Sequence, residues 1–201
     1  MKTTSIQKAT ILFQQHSGIL RTSQAIRLGI SPRTLYGMRD AGLIVEVTRG
    51  AYRLSGAVSI EHSDLVQVAL RVPKGIICLL SSLAFHKLTT QIPRQVSVAL
   101  PLDAEKPRLA YPPVRLFWLS QPVYSAGIEN HLLDGVTVLI YSREKTLADC
   151  FKFRNKVGLD TAMEAVRFYR EHKSIKVDDL MRFAAICRVT KIIRPYLEAL
   201  L

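Results

Sequence analysis

The chain has 201 residues, enough to bury a sizeable core as one large domain or two small ones. Hydrophobic residues make up 48% and charged residues 22%, proportions that exclude wholesale disorder, and no apolar run approaches the roughly 20 residues of a membrane helix. The formal charge of +12 favours a polyanionic partner, nucleic acid being the commonest, and residues 1–56 hold half of that excess.

In chain order, Ile6, Ala9, Leu12 and Phe13 recur at helical spacing and predict a helix over 5–16, stopped by Ser17-Gly18. Thr22 or Ser23 caps a short second helix through Leu28, and Gly29 supplies a turn. Ser31 then caps a third helix whose first position is Pro32, where a missing N–H costs nothing. Residues 43–47 and 51–54 read as two strands joined at Thr48-Arg49-Gly50, and Ser55-Gly56 is the natural boundary. Three helices and a hairpin follow the order of a winged helix-turn-helix, expected over 1–56. Beyond it, helices are expected at 60–71 and 82–88, and strands at 95–100, 114–119 and 136–140, with prolines punctuating the loops. After Tyr141 the period turns helical, over 143–155, 159–172, 178–187 and 190–200, with breaks at Gly158 and Lys173-Ser174. The expected class is α+β: a winged helix-turn-helix, then a mixed α/β domain over 57–201 with a helical end.

The helix-turn-helix reading rests on spacing. Ala25 is small where the third helix must cross the second, Gly29 turns the chain four residues later, and Leu35 and Met38 supply the buried positions beyond. If those two face inward, Arg33, Thr34, Tyr36, Gly37 and Arg39 face out. Arg33 and Tyr36 lie near the helix N-terminus, the end that enters a major groove, where arginine binds guanine O6 and N7 together. Ser31 and Thr34 suit a phosphate, and Gly37, unfavourable inside a helix, suggests close approach of another surface. Arg39 equally suits a local surface partner. Arg49 at the hairpin tip suits a narrow minor groove, or is a solvated turn. Tyr52 reads as core.

The runs Ile30-Ser31-Pro32-Arg33-Thr34-Leu35-Tyr36, Ala41-Gly42-Leu43-Ile44 and Arg49-Gly50-Ala51-Tyr52-Arg53-Leu54 resemble the N-terminal domain of AbiEi-type antitoxins. The stretch Tyr141-Ser142-Arg143-Glu144-Lys145-Thr146-Leu147-Ala148-Asp149-Cys150, continuing to Asp160, is similar to their C-terminal domain. The resemblance implies an antitoxin of a type IV toxin–antitoxin, or abortive-infection, system that represses its own operon by binding inverted repeats. It also implies a C-terminal domain that counters a nucleotidyltransferase-like toxin without a stable complex. The alternative is a basic winged-helix regulator or RNA-binding adaptor with no toxin partner. The protein is expected to be a monomer, or weakly self-associating on DNA.

From the residues themselves, Leu147, Cys150 and Phe151 mark one face of the helix from 143. Arg143, Lys145, Lys152, Arg154 and Lys156 make the other face basic: a solvated face by default, or a second nucleic-acid surface.

Catalysis is not expected. Asp160 with Glu171-His172-Lys173 copies a nuclease carboxylate pattern, but on a helical stretch. Ser81, Ser82 and His86 lack an orienting group, and Ser82 reads as a helix cap. The histidines show no metal-ligand spacing, so neither metal nor cofactor is expected. Cys78, Cys150 and Cys187 are widely spaced among apolar neighbours and read as buried thiols of a cytoplasmic protein. The N-terminus lacks the apolar segment of a signal peptide.

Overall fold

The computed structural model describes residues 2–16, 18–56, 62–171 and 175–200. Ser17, His172, Lys173 and Ser174, together with the first two positions of the helix expected over 60–71, lie outside the described residues. The fold is mixed α+β with a helical C-terminal end. It divides into two compact units, Met1–Arg71 with Leu132–Thr137, and Val72–His131 with Val138–Leu201.

The first unit runs α1 (Lys2–Gln15), β1 (Ile19–Arg21), α2 (Thr22–Arg27), α3 (Pro32–Asp40), β2 (Ile44–Thr48), β3 (Ala51–Leu54) and α4 (Ser63–Arg71). The strands form an antiparallel sheet in the order β1-β3-β2, with Leu20 opposite Tyr52 and Ile44 opposite Leu54. Three residues are too few for an alternating pattern, so β1 escapes a sequence reading. Phe13, Leu20, Ala25, Leu35, Met38, Ile44 and Tyr52 form one core. Burying Leu35 and Met38 contributes about 1.5–3 kcal/mol each, which fixes the roll of α3 about its axis.

Ser31 caps α3 as expected: its Oγ accepts the Thr34 N–H at 3.1 Å, and Pro32 begins the helix. Gly29 turns the chain at φ +89°, a conformation costly for any residue with a Cβ. The start of α2 differs from expectation. Arg21 occupies the cap position and donates its N–H to Gln24 Oε1 at 3.0 Å. Thr22 is free for another task, and its hydroxyl donates to the Gly50 carbonyl at 3.2 Å.

The second unit holds β4 (Ile76–Ile77), α5 (Leu79–Phe85), β5 (Val96–Pro101), β6 (Val114–Leu119), α6 (Gln121–Tyr124) and most of β7 (Ile128–Leu133) and β8 (Val136–Tyr141), whose joined ends at Leu132–Thr137 count with the first. Five helices complete it: α7 (Arg143–Lys152), α8 (Arg154–Val157), α9 (Leu159–Glu171), α10 (Val177–Ile186) and α11 (Thr190–Leu200). The sheet order is β6-β5-β4-β8-β7, with β5–β6 and β4–β8 parallel and β4–β5 antiparallel. Helix α7 packs against α5, α9 and α10, and residues Glu144–Phe151 are buried on every side.

Two details correct the sequence reading. Ser82 is no cap: Cys78 holds that position, and Ser82 lies inside α5 with its hydroxyl 3.1 Å from the Tyr141 carbonyl and 2.7 Å from Thr146 Oγ1. The helix expected over 143–155 breaks at Phe153, which leaves helical geometry (φ −101°, ψ 22°) and packs edge-on against Phe117 at 5.3 Å.

Candidate nucleic-acid interface

Helix α3 turns Leu35 and Met38 inward, both fully buried, and presents Arg33, Tyr36, Gly37, Arg39 and Asp40 to solvent. Three of these positions, Arg33, Tyr36 and Gly37, fall on one stripe at spacings of three and four. Arg33 has no hydrogen-bond or ion-pair partner among the described residues. Arg39 is occupied: Nη2 meets Asp40 Oδ1 at 2.8 Å and the guanidinium stacks on the Tyr36 ring at 5.1 Å. Both side chains of that ion pair are solvent-facing, so it contributes little stability, but it offsets the Arg39 charge.

At the amino end of α3, Ser31 Oγ and Thr34 Oγ1 lie 2.9 Å apart, so the two hydroxyls already serve each other. A hollow of about 170 Å³ beside them is lined also by Ser5 and Lys8 of α1. Lys8 is a phosphate-facing candidate missed from sequence, since nothing in its spacing ties α1 to the start of α3.

Arg49 stands on the two-residue connection of the β2–β3 hairpin and is exposed. The tip is pinned from both sides. Glu46 Oε1 accepts the Gly50 N–H at 2.8 Å, and the Gly50 carbonyl accepts the Thr22 N–H at 2.9 Å and the Thr22 hydroxyl at 3.2 Å. The hairpin is therefore short and held against the start of α2, with Arg49 as its outward cation. Arg53, on β3, is partly buried and its Nε lacks a partner among the described residues.

Residues 7–55 match the family model described as "Transcriptional regulator, AbiEi antitoxin". The N-terminal region is similar to the AbiEi antitoxin family over that quarter of the chain. That match supports a DNA-binding regulator or antitoxin in general. No curated protein matches the chain. A crystal structure of the RV2827C protein from Mycobacterium tuberculosis is similar in fold at 10% identity, with a TM-score of 0.58 over 94% of this chain and 79% of that one.

Outside the AbiEi-matched region, the expected second basic surface does not hold together. Lys145 is fully buried, its Nζ 2.5 Å from Asp149 Oδ2 and 4.0 Å above the Tyr141 ring. Lys152 donates to the Cys187 carbonyl at 3.3 Å and Arg154 to the Phe151 carbonyl at 3.0 Å, both part-buried. Arg143 is half-buried, and Lys156 alone of the five is exposed. The reason is that Glu144–Phe151 of α7 are enclosed all round, which leaves only the end residues Arg143 and Lys152 partly exposed.

What the Tyr141–Cys150 motif builds instead is a buried polar lattice. The Tyr141 carbonyl accepts the His86 Nε2–H at 2.7 Å as well as the Ser82 hydroxyl, so Ser82 and His86 converge on one acceptor rather than on each other. Glu144 Oε1 accepts the Tyr169 hydroxyl at 2.8 Å, and Cys187 donates to Asp149 Oδ1 at 3.3 Å. Burial, then the Asp149 charge, pushes the Cys187 thiol up to about 12, and burial likewise raises Cys78 and Cys150. All three thiols are free, buried and un-ionised, as unreactive groups would be. Gly127 closes the lattice at φ +68°: a Cβ there would lie 2.6 Å from Lys145 Cβ.

Among the described residues no three His, Cys, Asp or Glu side chains are grouped to hold a metal ion. No helix among them is long and apolar enough to cross a membrane.

Proposed function

We propose that residues 1–56 form a winged helix-turn-helix that binds inverted repeats in its own operator, with α3 in the major groove. The observation that carries this reading is the exposed, unpartnered Arg33 on a capped helix whose opposite side is locked by Leu35 and Met38. Such a helix presents a guanidinium in fixed register, suited to two hydrogen bonds on guanine O6 and N7. Tyr36 adds a thymine-methyl or phosphate contact, and Gly37 allows the helix backbone close approach. Arg39, shared with Asp40, serves a phosphate. Ser31, Thr34 and the first-turn amides, with Lys8 beside them, hold another phosphate. Arg49 enters a minor groove from the hairpin.

On this reading the protein is an autorepressor, and residues 57–201 supply the antitoxin activity against a nucleotidyltransferase-like toxin encoded alongside, without a lasting complex. The AbiEi match over 7–55 supports the regulator half. Nuclease footprinting of the DNA upstream of the gene tests it: two protected inverted repeats are expected, and uniform protection or none contradicts it. Co-expression of the full chain with the neighbouring toxin tests the second half: growth is expected to be restored, and undiminished toxicity contradicts it.

A further inference from the structure

At the amino end of the parallel pair β5–β6 the apolar core gives out. Ala99 and Phe117, opposite each other in register, belong to the core, but two residues earlier the same face carries Ser97 opposite Arg115. Helix α8 brings Lys156 to this point, and the segment before β5 brings Ile92 and Arg94. Together they line a cavity of about 420 Å³.

Its lining includes three cations, Arg94, Arg115 and Lys156, and no carboxylate. Arg94 has no partner among the described residues, and Arg115 spends one N–H on the Lys156 carbonyl at 3.3 Å. The nearest strap is firmly rooted. Glu164 accepts the Thr89 and Thr90 hydroxyls, each at 2.8 Å, and Gln91 Nε2 donates to Thr161 Oγ1 at 3.1 Å. Ser97 is only 6% exposed, lines the cavity, and its hydroxyl makes no hydrogen bond among the described residues. Ile92 at the rim is 90% exposed, an apolar side chain with nothing over it.

We propose that this cavity binds a nucleoside phosphate, with the phosphates on Arg94, Arg115 and Lys156 and the ring against Ile92. Guanidinium groups match phosphate oxygens in pairs. Three cations border one hollow with no carboxylate in its lining, two of them resting on aromatic rings, Arg115 over Phe117 at 5.5 Å and Lys156 over Phe117 and Phe153 at 5.7 Å. The hollow is a half-open groove with room beside the cations for more than a lone phosphate. The Ser97 hydroxyl supplies a directional contact at the floor.

Calorimetric titration of the full chain with a nucleoside diphosphate, inorganic pyrophosphate and the unphosphorylated nucleoside tests the proposal. Saturable one-to-one binding of the diphosphate is expected, with pyrophosphate weaker by about tenfold or more and the nucleoside weaker still. Arg94→Glu and Lys156→Glu, at exposed positions that leave the core untouched, are each expected to weaken the diphosphate by about tenfold or more. Arg33→Ala is expected to bind it as the unaltered chain does, which separates this site from the duplex-binding reading. No saturable binding, equal binding of pyrophosphate, indifference to Arg94→Glu, or loss through Arg33→Ala would each overturn the assignment.

Discussion

At Gly37 the outer side of α3 is bare: a Cβ added there meets nothing within 4 Å among the described residues, so no packing among them explains the glycine. Glycine inside a helix costs about 0.8–1 kcal/mol relative to alanine. Gly37→Ala is thus expected to stabilise the fold by up to about 1 kcal/mol in urea denaturation while weakening binding to the protein's own promoter DNA. Unchanged DNA affinity would remove the close-approach role. Lys145 poses the opposite case, a cation enclosed with Asp149 at 2.5 Å. Removing one partner of a buried pair leaves an uncompensated charge, so Lys145→Ala should cost about 3–5 kcal/mol. Lys145→Met with Asp149→Leu should recover much of it, because both charges then go together. A loss below about 1 kcal/mol for the single variant contradicts the pairing, since that is the value of an exposed one.

Among the elements, the end of α5 and the end of β8 are joined through His86 and the Tyr141 carbonyl, and this link is sensitive to pH. Burial lowers the His86 pKa below its ordinary 6.5, with Arg143 and His131 acting in the same direction against Glu129 and the Tyr141 carbonyl. Above pH 6.5 both folded and unfolded chains carry neutral His86 and the group is indifferent. As pH falls below that value the unfolded chain binds the proton first, so stability drops. Denaturation midpoints at pH 7.5 and 5.5 should show this loss, and His86→Gln should reduce it; an equal loss in the variant contradicts the assignment.

The same elements show what a sequence discloses. Strands β5, β6 and β8 are legible because each is a six-residue, largely apolar run, and α9 to α11 because their apolar positions keep helical period. Strand β4 is two residues long and central, and β7 carries Glu129, Asn130 and His131 along an edge, so neither has a readable pattern. The face of α3 is legible because one side is packed and the other is free. The face of α7 is not: Glu144–Phe151 are enclosed all round, so Lys145, which the spacing places on an outer face, has none to occupy. The i,i+4 spacing of Lys145 and Asp149 within Lys-Thr-Leu-Ala-Asp-Cys-Phe is the available signal of an internal pair.

Over the whole molecule, the excess positive charge falls in two segments. Residues 1–56 carry +6 in about a quarter of the chain, and the segment 143–194 carries +6 with Lys145 spent internally. On the reading proposed above, duplex binding falls to the first of these, while of the second only Lys156 and Val157 border the cavity beside β5 and β6. The central claim is that α3 reads base sequence through Arg33. The decisive measurement is the affinity ratio of the full chain for its own promoter fragment over an unrelated duplex at fixed salt, compared with Arg33→Ala. The ratio is predicted to fall by about tenfold or more, the effect of losing one bidentate guanine contact worth about 1–3 kcal/mol, while affinity for the unrelated duplex changes little. An unchanged ratio would contradict the account.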